Sequence, residues 1–206
     1  RLQMTVLFSD VRGFTSISEQ LAPSELSEFI NLYLTTMTQV IRDKGGTLDK
    51  YIGDAIMAFW GAPIDAEDHA ERGVVAALNM IKALDSLDKI CKEREWPEIS
   101  IGIGINTGDM SVGDMGSKIR KAYTVMGDAV NLGARLEGLT RQYGVWTIVS
   151  EYTVAECPGV CFRELDKVLV KGKEQPVVIY EPVATKDELD QDMLNELQQW
   201  DELLSL

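Results

Sequence analysis

The chain has 206 residues, of which 45% are apolar, and 33 acidic residues against 20 basic ones give it a formal net charge of −13. This length and apolar content fit one globular domain with a genuine hydrophobic core. The excess of acidic residues argues against a nucleic-acid surface, since binding a polyanion needs a basic stripe.

The few cysteines and the single histidine argue against a disulfide framework and a zinc site. The cysteines are odd in number, Cys157 and Cys161 lack the CxxC spacing, and His69 has no second histidine with which to complete a zinc set. We expect His69 to cap a helix or face solvent, and the odd cysteine count predicts a reduced, cytoplasmic setting.

No apolar stretch approaches the roughly 20 residues of a membrane span, and no signal-peptide pattern is present, so this fragment is expected to make no membrane contact. The chain begins at Arg1, almost inside a strand. We therefore expect a domain of a longer protein. Attachment of that protein to the inner face of the cell membrane, or its fusion to a sensor domain, stays open.

The first half of the chain predicts the order β, α, β, β, α, β. Apolar periodicity and turn residues predict a strand that ends at Asp10, a helix from Pro23 to just before Gly45, a β-hairpin over 47–60, a helix over 66–87 and a strand over 99–105. The hairpin carries Asp54 at its tip. This order is typical of an α+β, ferredoxin-like antiparallel sheet with helices packed on one side.

The second half predicts further strands and two helices. A strand and an extended arm are expected over 108–127, a helix from Asp128, a strand over 145–149, a hairpin over 167–182 and an acidic helix over 186–206. The last helix carries seven acids and one base between Lys186 and Leu206, so we expect it to be solvated or to face a partner. We divide the chain into a domain over 1–183 and an acidic helical extension over 184–206.

Two aspartates mark a candidate metal site. Asp10 and Asp54 each lie where a strand gives way to a turn, a position at which a carboxylate is exposed yet rigidly held, as a Mg²⁺ site requires. Each taken alone is equally an ordinary turn residue. Their combination with Lys50, and with Asn131 and Arg135 on one face of the helix predicted from Asp128, favours a site for metals, phosphate and a base.

Four segments carry a family resemblance. They are Phe8–Thr15, Asp49–Ala58, Gly102–Gly108 and Met126–Leu136. In this order they resemble the catalytic domain of class III nucleotidyl cyclases, and the likeness extends from Met4 to Pro182. The resemblance implies a head-to-tail homodimer that binds ATP across its interface, so that each of two composite sites takes residues from both chains.

The resemblance also implies roles for individual residues. Asp10, Asp54 and the Val11 carbonyl of one chain would hold two divalent cations, Mg²⁺ or Mn²⁺. The turn over 11–16, including Phe14 and Thr15, would offer backbone N–H groups to the triphosphate, although core packing is the better interpretation of the Phe14 side chain. The partner chain would supply the catalytic pair Asn131 and Arg135. Lys171 would reach the terminal phosphates, or would be an ordinary solvated turn residue.

The residues at the base-reading positions imply ATP as the substrate. Lys50 would donate to an adenine ring nitrogen, and the hydroxyl of Thr124 would accept from the adenine amino group. Many adenylate cyclases have Asp in place of Thr124, and the Lys-Thr pair is similar to one bacterial subgroup of them. The implied activity is formation of 3′,5′-cyclic AMP and pyrophosphate. The alternatives are a catalytically silent nucleotide-binding module that regulates through dimerisation and a guanylate cyclase, in which Glu and a Cys-like residue would be expected.

Overall fold

The computed structural model describes residues 1–206, which form one eight-stranded sheet with helices on both faces. The strands are β1 Leu2–Val11, β2 Thr47–Ile52, β3 Ala55–Trp60, β4 Ile101–Gly116, β5 Lys121–Met126, β6 Thr147–Ser150, β7 Val160–Val168 and β8 Val177–Thr185. The helices are α1 Phe14–Gln20, α2 Pro23–Asp43, α3 His69–Glu93, α4 Asp128–Tyr143, α5 Glu151–Val154 and α6 Gln191–Leu204, with a short 3₁₀ helix over Lys186–Glu188.

The strand order is β2-β3-β1-β4-β6-β8-β7, and β5 pairs with the far end of β4. Long strands β1 and β4 lie side by side at the centre, from Leu2 opposite Met110 to Val11 opposite Ile101. The predicted α+β class with helices on an antiparallel sheet is confirmed. One pair departs from the antiparallel pattern, since β4 and β6 run parallel where Ile103 lies opposite Thr147.

The two helices of the first half, α2 and α3, lie on one side of the sheet as predicted, whereas α4 of the second half lies on the other. The main core joins the sheet to α2 and α3, with Leu7 of β1 packed among buried residues such as Met37 and Val74. Helix α4 packs on the opposite face, where Val6 and Met4 join Val130 in a second cluster. Because side chains alternate along a strand, successive residues of β1 pack on opposite faces of the sheet and so belong to the two clusters alternately.

Glycines in β4 let α4 approach the sheet closely. A Cβ on Gly104 would lie 2.2 Å from the backbone nitrogen of Glu137 and 2.4 Å from the carbonyl oxygen of Gly133. These are backbone atoms, so only a shift of the whole helix would relieve the clash. This contact places α4, and every side chain on it, relative to the central strands.

Gly104→Ala is expected to lower the free energy of unfolding by about 3 kcal/mol, because the added methyl forces α4 away from β4. Urea denaturation followed by circular dichroism measures this change. Gly138→Ala is the matched control: a Cβ there meets nothing within 4 Å. It should leave stability unchanged or raise it by about 0.5–1 kcal/mol, as expected of Gly to Ala within a helix. Equal stabilities for the two variants would contradict the close-approach explanation.

Most predicted elements are present, with shifted ends and two omissions. Helix α3 runs over His69–Glu93 rather than 66–87, and the terminal helix α6 begins at Gln191 rather than 186. The short helices α1 and α5, of 7 and 4 residues, were not predicted. Elements this short contain too few turns for an apolar period to be recognised.

The expectation for His69 is wrong, because its side chain is buried. His69 is 7% exposed, and its Nδ1 lies 2.8 Å from the hydroxyl of Thr5. That hydroxyl lies 2.8 Å from the hydroxyl of Thr107, and His69 Nε2 lies 3.5 Å from a carboxylate oxygen of Glu156. The histidine therefore provides hydrogen-bonding partners for the polar groups buried between α3 and the sheet.

The acidic helix α6 lies on the outside of the molecule and contains no buried residue. It is attached to β7 through Trp200, whose indole N–H donates to the carbonyl of Glu164 and whose ring lies 4.4 Å from the Arg163 guanidinium. The last strand ends at Thr185, and the domain boundary at 183/184 remains a prediction. Among all the helices, none has the length and apolar character that crossing a bilayer requires.

Candidate active site

Asp10 and Asp54 lie together at one end of the central sheet. Asp10 is near the end of β1, and Asp54 occupies the turn between β2 and β3, in which Gly53 adopts a left-handed φ of 63°. Because β1 pairs with β3, this turn lies next to the end of β1. An Asp54 carboxylate oxygen accepts from the backbone N–H of Val11 at 3.0 Å. The predicted proximity of the two aspartates on neighbouring strands is confirmed.

Asp10 and Asp54 are close enough for their negative charges to repel each other. The pKa of Asp10 rises to about 7, first because of burial, then because of hydrogen bonding and repulsion from Asp54, with a further contribution from Glu137. Neighbouring carboxylates disfavour each other's ionisation, and a cation between them removes that penalty. The donor set is therefore chemically suited to a hard divalent cation, for which carboxylate and carbonyl oxygens are the preferred ligands.

An open cleft of about 470 Å³ surrounds the aspartates. Its lining includes Val11, Phe14 and Thr15, three of the predicted site residues, and it reaches the start of α1, which no side chain caps. Thr15 is exposed, whereas Phe14 also packs against the main core. The first N–H groups of a helix lack partners within it, so this end of the cleft presents free donors.

Charged residues missed by the sequence analysis complete the cleft. Arg12, Glu137 and Arg141 line it. Burial raises the pKa of Glu137, the two arginines oppose that rise, and burial lowers the pKa of Arg12. Glu137 and Arg141 are four residues apart on α4, a spacing that places both on one helix face, but only the packing of α4 on the sheet directs that face at Asp10.

Asn131 and Arg135 do not line the cleft that contains Asp10 and Asp54. Arg135 lies beside the β7–β8 turn instead, where a Cβ on Gly172 would be 3.3 Å from its Nη2. Its Nη1 is buried and has no hydrogen-bond partner. Arg135 and Glu137 are two residues apart and so project from different sides of α4. Within one chain, the predicted metal ligands and the predicted catalytic pair therefore lie on different surfaces.

The β7–β8 turn contains two lysines in different settings. Lys173 forms an ion pair with Asp128 at the start of α4. Lys171 is exposed and directly precedes Gly172, the turn residue that lies beside Arg135. The structure thus places the turn that carries Lys171 next to Arg135, although the two residues are far apart in the sequence.

Lys50 and Thr124, the predicted base-reading residues, are joined by a residue that the sequence analysis did not single out. The Thr124 hydroxyl donates to one carboxylate oxygen of Asp49, and the ammonium of Lys50 lies 3.4 Å from the other. Thr124 is 7% exposed, and the Lys50 side chain is 46% exposed. Strands β2 and β5, which carry these residues, are not hydrogen-bonded to each other.

Comparison with known proteins assigns the family. The sequence model described as "Adenylate and Guanylate cyclase catalytic domain" matches residues 2–181. The chain belongs to this family. An adenylate cyclase of Anabaena cylindrica is 43% identical over 193 residues, which cover 88% of this chain and 37% of that protein. The chain therefore spans little more than a third of the length of this relative.

Solved structures of cyclase domains share the fold. The adenylyl cyclase CyaB from P. aeruginosa has a TM-score of 0.84 and 34% identity, covering 91% of this chain and 97% of its own. The guanylyl cyclase Cya2 has a TM-score of 0.85 and 35% identity, covering 92% and 95%. Backbone similarity is thus nearly equal for both activities, so the choice of base depends on individual side chains.

Proposed function

We propose that this cyclase domain is an adenylate cyclase that converts ATP to 3′,5′-cyclic AMP and pyrophosphate at composite sites of a head-to-tail homodimer. The observation that carries the proposal is the convergence of Asp10 and Asp54 in one open cleft, with the crowded charge that raises the pKa of Asp10 to about 7. Such a pair needs a cation, and a two-cation site suits an in-line displacement at phosphorus.

Two divalent cations, Mg²⁺ or Mn²⁺, held by Asp10, Asp54 and the Val11 carbonyl, would activate the ribose 3′-hydroxyl and neutralise the triphosphate. The chain's own groups bind and orient the rest of the nucleotide. Uncapped N–H groups at the start of α1, around Phe14 and Thr15, receive phosphate oxygens. Arg12 and Arg141 add positive charge on the same side of the cleft.

The second chain completes each site. Arg135, with a buried guanidinium nitrogen left without a partner, stabilises the charge that develops on the α-phosphate, and Asn131 orients the ribose. Lys171 approaches the terminal phosphates from the adjoining turn. The separation of these residues from the aspartate cleft supports assembly of the site from two chains, because the two faces of α4 cannot serve one nucleotide within a single chain.

The side chains at the base-reading positions, rather than the backbone fold, support ATP rather than GTP as the substrate. Lys50 offers only donors and so suits the unprotonated N1 of adenine, whereas guanine carries a proton at N1. The Thr124 hydroxyl, whose proton goes to Asp49, is left with lone pairs for the adenine amino group.

The proposal predicts cyclic AMP formation from ATP in the presence of Mg²⁺ or Mn²⁺, with kcat/KM for ATP exceeding that for GTP by about a hundredfold, since a base with reversed donors and acceptors leaves polar groups unpaired. Chromatographic separation of the cyclic products from both nucleotides measures this. Faster formation of cyclic GMP would make the domain a guanylate cyclase. Absence of both products from a verified dimer would make it a regulatory nucleotide-binding module.

A further inference from the structure

Asp49 contacts both of the predicted base-reading residues. It lies at an irregularity of β2, where the register with β3 shifts between Leu48 and Lys50. None of its side chain is exposed. One carboxylate oxygen accepts from the Thr124 hydroxyl, and the other lies 3.4 Å from the Lys50 ammonium and has no other partner. Burying a carboxylate costs free energy unless the charge is paired and hydrogen-bonded. The contacts of Asp49 therefore indicate that it has a function.

The contact with Asp49 fixes the polarity of the Thr124 hydroxyl. A hydroxyl has a single proton, and an ionised carboxylate can only accept. Once Thr124 donates to Asp49, it presents only lone pairs to a ligand. The adenine amino group is a donor and matches these lone pairs, whereas guanine O6 is an acceptor and is repelled by them. A threonine free to rotate would instead donate to O6 and tolerate either base.

We propose that Asp49 is a positioning residue that selects ATP over GTP by holding the proton of Thr124 away from the base. The proposal rests on the proposed function, in which Lys50 and Thr124 read the base. It also explains how a hydroxyl, which can both donate and accept, discriminates between bases.

Asp49→Asn is the discriminating substitution because it keeps the shape of the side chain. An amide has only one oxygen, and the positive charge of Lys50 attracts it. The amide N–H groups then face Thr124 and donate to its oxygen, which frees the hydroxyl proton for the base. The ratio of kcat/KM for ATP to that for GTP should fall by about tenfold or more, the effect of one hydrogen bond gained or lost.

Two further measurements separate this role from a structural one. Turnover of purine riboside triphosphate, which lacks the exocyclic amino group, should change little in Asp49→Asn. In a Thr124→Val background, which has no hydroxyl, adding Asp49→Asn should leave the ATP/GTP ratio unchanged. Asp85→Asn, which removes one exposed negative charge on α3, is the matched control and should leave the ratio at the wild-type value.

Equal losses of kcat/KM for ATP and GTP in Asp49→Asn would overturn the proposal, as would the same shift in ratio in the Thr124→Val background. If circular dichroism shows that Asp49→Asn is unfolded, Asp49→Ala makes the same test, because it removes the acceptor of the Thr124 proton. Failure of the proposed function is distinguishable, because the wild type itself would then form no cyclic AMP. Binding of 3′-deoxy-ATP and 3′-deoxy-GTP in Mn²⁺ then measures the same ratio without turnover, and a ratio equal in wild type and variant would overturn the proposal.

Discussion

Mixing Asp54→Ala chains with Arg135→Ala chains is expected to restore cyclic AMP formation that neither variant has alone. Each homodimer lacks the same element in both of its sites. In a mixed dimer, one site takes Asp54 and Arg135 from intact chains, and the other lacks both. Random exchange of equal amounts should therefore give about a quarter of the wild-type rate, since half of the dimers are mixed and each has one complete site.

The control mixes Asp54→Ala with Asp10→Ala. Both substitutions fall in the cleft that one chain contributes, so every site in the mixed dimer lacks one of the two carboxylates and the rate should stay at background. Subunit exchange is verified by co-purification of differently tagged chains. Absence of recovery in the first mixture, with exchange demonstrated, would contradict the composite site. Recovery in the control mixture would contradict the assignment of both aspartates to one half-site.

Asp10→Asn is expected to lower kcat by about a thousandfold, because it removes a negative ligand where two cations have to be held against the triphosphate. The residual rate should respond weakly to Mn²⁺ concentration, whereas the wild type should show saturable dependence on Mn²⁺. Initial rates of cyclic AMP formation over a range of Mn²⁺ concentrations provide the measurement.

Asp65→Asn is the matched control for this substitution, since Asp65 is an exposed acid in the β3–α3 loop, outside the cleft. It should keep the wild-type rate and the wild-type dependence on Mn²⁺. Retention of more than about a tenth of the wild-type kcat in Asp10→Asn, with an unchanged Mn²⁺ response, would contradict a ligand role, because losing a metal-binding carboxylate costs far more than a surface charge does.

The sequence determined the elements wherever an apolar period extended over several turns or a full strand. The face of α2, the alternation along β4 and the Gly53-Asp54 turn are local patterns set by burial and backbone geometry, and they also predicted that Asp10 and Asp54 would meet. Short elements such as α1 lacked such a pattern. The buried position of His69 had no local signal either, because its partner Thr5 lies on a distant strand.

The tertiary structure decided how the faces of these elements are used. The alternating glycines of β4 are a local signal of a face that permits close approach, but no local pattern specifies that α4 packs there, on the opposite side of the sheet from α2. That packing directs Glu137 into the aspartate cleft and keeps Arg135 out of it. Likewise, strict alternation would place Asp49 and Lys50 on opposite faces of β2, but at the register shift the Lys50 ammonium lies beside the Asp49 carboxylate, which accepts from Thr124. The sequence by itself determined which residues can do the chemistry, because residue type and spacing are local. Only the fold decided which of them share a surface, because that depends on contacts between distant segments.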